Sequence, residues 1–341
     1  MMKSIRIAAL VLAAGVAFAA EEKKLNLFIW SDYMSEDVIK QFSKQSGIKV
    51  TYDTYDSNEA LETKLQSGVA DYDLVIPSDY MIKKLIEQKL LLKLDRSKLP
   101  NWSHLDERFL GKKFDAGNEY SVPYFWGTTG LGFNKKAVGA VNSWGVLFDP
   151  KNKGQILMLD DVRECFAVAL KYQGQSINAR DPAILRKAAD LLKQQKRLVK
   201  TYNSGDFANI LAAGDVNFSH GYNGQIAEVI AEAPDELDYV VPKEGATFWL
   251  DGMCIPAKSR HPEAAHAFIN FFLDPKNSAA NVNEISYACG NKGARAFINK
   301  EILENPVIYP DDATINRCEF LEDVGDAITT YDELWTEIKA E

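Results

Sequence analysis

The chain has 341 residues, with 39 Lys and Arg against 48 Asp and Glu, for a formal charge of −9. That acidity argues against the basic surface that nucleic acid requires, and the length exceeds one comfortable hydrophobic core, so two domains are expected. The four cysteines (Cys165, Cys254, Cys289, Cys318) form no C-x-x-C, and the four histidines are scattered singly, so no metal centre is expected.

The first residues read as a secretory signal, residues 1–19. Lys3 and Arg6 precede an apolar run from Ile7 to Phe18, and Ala17-Phe18-Ala19 fits a small-x-small cleavage site. The run is too short to span a bilayer, which takes about 20 apolar residues. Removing the segment removes two positive charges and shifts the formal charge from −9 to −11. No Cys lies near the cleavage site, so a soluble exported protein is expected, with its cysteines as buried free thiols.

Strand and helix signals then alternate. Leu25 to Trp30 has strand length and is apolar. A helix follows, with Ser35 as N-cap, Val38, Ile39 and Phe42 on one face, and Gly47 at its end. Ile48 to Tyr52 predicts a strand, Asn58 to Gln66 a helix stopped at Gly68, Asp73 to Pro77 a strand, and Asp79 to Gln88 a helix. The pattern resumes with a strand at Gln155–Leu159 and helices at Val162–Tyr172 and Pro182–Gln195. Strands at Val216–His220, Tyr239–Pro242 and Thr247–Ile255 enclose a helix that starts near Gly224. The remainder predicts helices over Pro262–Leu273, Pro275–Asn283 and Leu321–Ala340. Such alternation implies parallel sheets with right-handed crossovers, here in two α/β lobes.

In open parallel sheets ligands sit beyond the carboxyl ends of the strands. At those ends stand Trp30-Ser31-Asp32-Tyr33, Pro77-Ser78-Asp79-Tyr80, Asp160-Asp161-Val162-Arg163-Glu164 and Gly221-Tyr222-Asn223-Gly224-Gln225, while one strand carries Phe248-Trp249-Leu250-Asp251. Each has a plainer reading. Ser31, Asp32, Ser78 and Asp79 could cap helices, Asp161 and Glu164 have capping-box spacing, and a lone Trp is usually core. Together, aromatics and acids recur where ligands bind, with few basic groups. An alkyl amine stays charged at neutral pH. It needs a carboxylate once water is excluded, and ring faces attract its charge and cover its methylenes. An anion site would expose helix N-termini and Arg instead. Arg163 is the one candidate cation, and capping-box geometry points it elsewhere.

On these motifs, with Ile285-Ser286-Tyr287 and Asp323-Val324-Gly325, the chain resembles the bacterial spermidine/putrescine periplasmic binding proteins of ABC-type polyamine importers. The resemblance covers the whole mature chain. It implies a two-lobed periplasmic binding protein fold of type II, an α/β fold in which each lobe is a mainly parallel sheet flanked by helices and the ligand cleft lies between lobes. The expected lobes are 24–133 with 252–305, and 134–251 with 306–341. The resemblance assigns Trp30, Tyr33, Tyr80, Trp249 and Tyr287 to aromatic walls, Ser31 and Ser78 to polar contacts, and Asp161, Glu164 and Asp251 to ammonium-holding carboxylates, with Asp32 a further acid nearby. Three positions depart from the family pattern. Tyr222 stands where the family usually has Trp, Gln225 where putrescine binders place Asp, and Leu321 where spermidine binders often place Gln. Spermidine is therefore the first expectation and putrescine the second.

The implied protein is a monomer without catalytic activity or cofactor, located in the periplasm, whose partners are the polyamine and a membrane permease. Three rivals share parts of the pattern, one of them a neutral-sugar or ferric-ion binding protein of the same fold, for which Tyr52 and Tyr55 are the tempting tyrosines. Paired acids beside Trp also describe glycosidases, and a polyamine-binding protein could report to a membrane receptor instead of an importer.

Overall fold

The computed structural model describes residues 23–68 and 71–340; the expected signal segment lies outside them. Strand β1 (Lys24–Trp30) is followed by helix α1 (Glu36–Ser46), β2 (Lys49–Tyr55), α2 (Asn58–Ser67), β3 (Leu74–Val75) and α3 (Asp79–Glu87). After a 3-10-rich segment come β4 (Ser121–Asn134), the short α4 (Lys135–Val138), β5 (Ile156–Met158), α5 (Val162–Tyr172), α6 (Pro182–Lys196) and β6 (Val199–Tyr202). Then follow α7 (Phe207–Ala212), β7 (Phe218–Tyr222), α8 (Asn223–Glu232), β8 (Leu237–Val240) and β9 (Thr247–Cys254). The chain closes with α9 (Pro262–Phe272), α10 (Pro275–Ile285), β10 (Ala288–Cys289), α11 (Lys300–Leu303), α12 (Asp312–Ile315), β11 (Glu319–Phe320) and α13 (Ala327–Ala340).

Local chemistry explains most boundaries. The Ser35 hydroxyl accepts the Val38 N–H at 3.3 Å, and Gly47 at φ 68° ends α1 in the left-handed region. Ser57 and Gly68 frame α2 in the same way. The apolar run of β1 lies between β2 and β3, both parallel to it, so both its edges are hydrogen-bonded within the sheet. Likewise β5 pairs parallel with β6 and β7.

The strand order is β2-β1-β3-β9-β4-β7-β5-β6. The two parallel halves are joined by β9 and β4, which run antiparallel to each other and to the neighbour on either side. Separate hydrophobic cores lie to either side. One gathers Leu27, Phe42, Phe268 and Phe272, the other Phe166, Phe207, Phe218 and Leu334.

Several short elements, among them β6 and α7, are absent from the sequence reading, and two further differences have a clear physical reason. The 14-residue β4 carries no clear strand signal, because Pro123 and three glycines interrupt it. The structure gives the reason at Gly127: a Cβ there would meet Asn223 Oδ1 at 2.2 Å and the Trp249 ring at 2.4 Å. The last helix begins at Ala327, not Leu321. Glu319–Phe320 instead adds a short parallel strand to β9, the Phe320 ring meets Phe248 edge-on at 4.8 Å, and Gly325 turns at φ 59° before α13.

Candidate functional site

Four rings form a continuous wall where the two halves meet. Tyr33 follows β1, Tyr287 follows α10, Trp249 lies on β9, and Tyr222 ends β7. Their centroids are 5.4 Å apart for Tyr33–Tyr287, 5.4 Å for Tyr287–Trp249 and 6.3 Å for Trp249–Tyr222, all near edge-on. Gly224 permits this approach, since a Cβ there would meet the Tyr287 ring at 2.3 Å. The backbone N–H of Gln225 faces the Tyr287 hydroxyl. The indole N–H of Trp249 is buried without a hydrogen-bond partner among the described residues. Trp30 is tied down differently: its indole N–H donates to the Ile76 carbonyl at 3.0 Å, and its ring packs on Tyr55.

Carboxylates stand beside this wall. Asp251 is 5% exposed; its Oδ2 accepts the Tyr33 hydroxyl at 2.8 Å, and its Oδ1 has no hydrogen-bond partner among the described residues. Burial pushes its carboxyl up to about 7, against the opposing effect of the Tyr33 and Ser78 hydroxyls. Ser78 pairs with Asp251 in an antiparallel bridge; it occupies the N-cap position of α3 but makes no capping bond with its side chain.

Glu164, in the first turn of α5, is 4% exposed. It accepts the Thr129 hydroxyl at 3.0 Å and the Thr247 hydroxyl at 2.9 Å. Burial, and then the Asp161 charge, push it up to about 8. Asp161 does cap α5, accepting the Glu164 N–H at 2.9 Å. Glu164 does not return the bond, so the capping box is half formed and the Glu164 carboxyl faces the strands. Burial also raises Asp161. Arg163 turns away, donating to the Glu322 carbonyl at 3.1 Å and to Asn178 Oδ1 at 3.0 Å. Among the described residues, Asp161, Glu164 and Asp251 make no ion pair.

The remaining expected residues lie at the edges. Tyr80 donates to Glu59 Oε1 at 3.3 Å and packs against Ala167, Ile177 and Leu321 of the other half, forming an apolar clasp. Ser31 and Asp32 are exposed, with Asp32 at φ 51°. Asp32 faces Glu228 of α8, whose carboxyl is pushed up to about 7 by burial and then by Asp32.

Sequence reasoning missed Thr129 and Thr247. A signal existed for Thr247: in a strand, residues two apart share a face, so Thr247, Trp249 and Asp251 form one stripe. Thr129 is the register partner of Thr247 on β4, and that pairing has no local signature. We expect Thr247→Val to leave the fold intact and to push the Glu164 carboxyl higher still. NMR titration of Glu164 would show it, and an unmoved titration would mean that the bond is not formed in solution.

A profile of the family described as bacterial extracellular solute-binding protein matches residues 37–310. The spermidine/putrescine-binding periplasmic protein of Escherichia coli K12 is 39% identical over 335 residues, 97% of this chain and 96% of that protein. The putrescine/cadaverine-binding protein of Pseudomonas aeruginosa PAO1 is 36% identical over 353 aligned positions, covering 99% of each chain. Among solved structures, the spermidine/putrescine ABC transporter substrate-binding protein PotD of Streptococcus pneumoniae superposes with a TM-score of 0.83 at 34% identity, covering 93% of this chain and 99% of that one. The TpPotD lipoprotein of Treponema pallidum superposes with a TM-score of 0.87 at 31% identity, covering 94% of this chain and 100% of the other.

Proposed function

The chain belongs to the bacterial extracellular solute-binding proteins, and from that premise we propose that it captures a polyamine in the periplasm and delivers it to an ABC importer. Spermidine is the preferred ligand in this reading and putrescine the second. The observation that carries it is the set of carboxyls, buried Asp251 and Glu164 with half-buried Asp161, that make no ion pair among the described residues and flank a wall of rings. Buried charge is stable only when paired, and an ammonium ligand supplies the missing charge. The relatives' names, which include spermidine, putrescine and cadaverine, support the ligand class.

In this mechanism the lobes, 24–133 with 252–305 and 134–251 with 306–341, close on the ligand. Asp251 with the Tyr33 hydroxyl takes one ammonium, and Glu164 with Asp161 takes another. Trp249, Tyr287, Tyr33, Tyr222 and Trp30 cover the methylenes, while Ser31, Asp32, Ser78, Tyr80 and Gln225 line the approach. Retention of both Asp161 and Glu164 favours the longer triamine. The apolar clasp at Leu321 limits hydrogen bonding at that end.

Calorimetry with spermidine, putrescine, cadaverine, a basic amino acid and a neutral sugar tests the reading. Heat with the polyamines alone supports it, and no heat with any diamine or triamine overturns it. Trp249→Ala should weaken polyamine binding about tenfold to thirtyfold, from lost cation–π attraction and methylene cover, with near-UV circular dichroism preserved. Global unfolding of that variant would make Trp249 a core residue instead.

A further inference from the structure

Tyr124 and Asn281 touch no ligand in the mechanism above, and both are fully buried, at 0% exposure. Tyr124 lies on β4 and Asn281 on α10, the helix that leads into Tyr287. Between them they hold both ends of the turn that carries Tyr33. The Tyr124 hydroxyl donates to the Tyr33 carbonyl at 2.5 Å, and Asn281 Oδ1 accepts the Ser35 N–H at 2.7 Å. Asn281 Nδ2 donates in turn to the Tyr124 hydroxyl at 2.8 Å. A backbone N–H can only donate, so it fixes which end of the Asn281 amide faces Ser35 and which faces Tyr124. The other acceptor near the Tyr124 hydroxyl, Met34 Sδ at 3.8 Å, is the weaker one, so the single hydroxyl proton goes to the Tyr33 carbonyl.

The turn needs such a clamp. Asp32, immediately before Tyr33, has φ 51°, a left-handed conformation that a non-glycine residue keeps only where its surroundings enforce it. The Tyr33 ring is gripped edge-on by Tyr124 at 5.4 Å, Phe125 at 5.2 Å and Tyr287 at 5.4 Å. Its hydroxyl meets Asp251 Oδ2 at 2.8 Å, leaving Oδ1 as the carboxylate oxygen without a partner. A run of hydrogen bonds thus leads from α10 through β4 to the turn, and from the Tyr33 side chain on to β9. Any donor and acceptor could satisfy the Tyr33 carbonyl and the Ser35 N–H. Joining them through one Asn–Tyr pair also fixes where the Tyr33 hydroxyl lands.

Resting on the reading that the cleft binds an organic ammonium, we propose that Tyr124 and Asn281 are positioning residues for the Asp251 end of the site. They set the Tyr33 hydroxyl on Oδ2 of Asp251, which orients the carboxylate so that Oδ1 meets the ligand ammonium. The bond also favours the ionised carboxylate, since a donor stabilises the charged form. Without the clamp the turn at Asp32 relaxes, the Tyr33 hydroxyl withdraws, and the ammonium meets a carboxylate that is free to turn. A group held in place before the ligand arrives loses less freedom on binding.

A double-mutant cycle read by calorimetry with spermidine and with putrescine tests this. Tyr33→Phe should bind about tenfold more weakly than wild type, and Tyr124→Phe about fivefold more weakly. In the Tyr33→Phe background, Tyr124→Phe should change affinity by less than about twofold, because the hydroxyl that it positions is already gone. NMR titration of the ligand-free protein gives a second readout. The Asp251 carboxyl should titrate at higher pH in each single variant than in wild type, and no higher still in the double variant. Losses that multiply in the double variant, or an Asp251 titration that Tyr124→Phe leaves unmoved, overturn the proposal, because loss of the hydroxyl then acts through packing alone. If Tyr124→Phe does not fold, Asn281→Ala takes its place under the same criteria. Failure of both to fold makes the pair a folding element and overturns the proposal. A wild type that binds while the losses multiply sinks only the roles of Tyr124 and Asn281. If the wild type gives no heat with either amine, the ammonium reading and this proposal fall together.

Discussion

Asp251→Asn should lower affinity for spermidine and putrescine by about 10²–10³-fold, while raising the melting temperature of the ligand-free protein at pH 8. The first effect follows from burial. Removing one partner of a buried ion pair costs about 3–5 kcal/mol, because the ligand ammonium still loses its water and gains no counter-charge. The second effect has the opposite sign because, without ligand, Asp251 is a buried carboxyl with an unbonded oxygen. Its folded-state value is pushed up to about 7, above that of an unfolded Asp. Its favourable contribution is therefore complete below about pH 4 and disappears as pH rises through 7. Asparagine removes the charge, so its advantage in melting temperature appears at pH 8 and vanishes near pH 4. Paired calorimetry and thermal melts check both halves. Unchanged affinity would mean that Asp251 faces no ammonium.

The wild-type protein should bind its ligand more tightly as pH rises from 5 to 8.5, over a range of about 10²-fold or more. Glu164 lies at about 8 and Asp251 at about 7, and burial raises Asp161 as well. Below those values the carboxyls hold protons that a cation must displace, and each such group costs up to about tenfold per pH unit. The ligand stays charged throughout, since alkyl ammonium groups lose their protons only near pH 10. Ligand-free stability should move the other way. All three groups are raised, so each favours the folded state at low pH and loses that effect as pH climbs toward 8. The melting-temperature increase given by saturating ligand should therefore widen with pH. Affinity flat from pH 5 to 8.5 would show that these carboxyls do not titrate with binding.

Much of this chain was legible residue by residue. Ser35 and Gly47 mark the two ends of α1, and Ser57 and Gly68 those of α2, because caps depend only on neighbouring backbone groups. The residue types at the strand ends, acids and rings with few cations, already pointed to an organic ammonium. Local rules could not settle whether Asp161 and Glu164 cap a helix or face a ligand. Asp161 does cap, while Glu164 faces Thr129 and Thr247, 35 and 83 residues away. They also missed β4, whose glycines look like breaks until Trp249 and Asn223 are seen pressed against Gly127.

The sequence by itself determined most helix boundaries, the α/β class and the acid-and-ring character of the strand ends, because these depend on short-range hydrogen bonding, periodicity and composition. Tertiary structure alone decided which acids are buried, which oxygens lack partners, and that Tyr33 meets Asp251 across 218 residues. Burial and long-range contact decide whether a carboxyl is charged or waiting for a cation, and neither can be read from its neighbours in the chain.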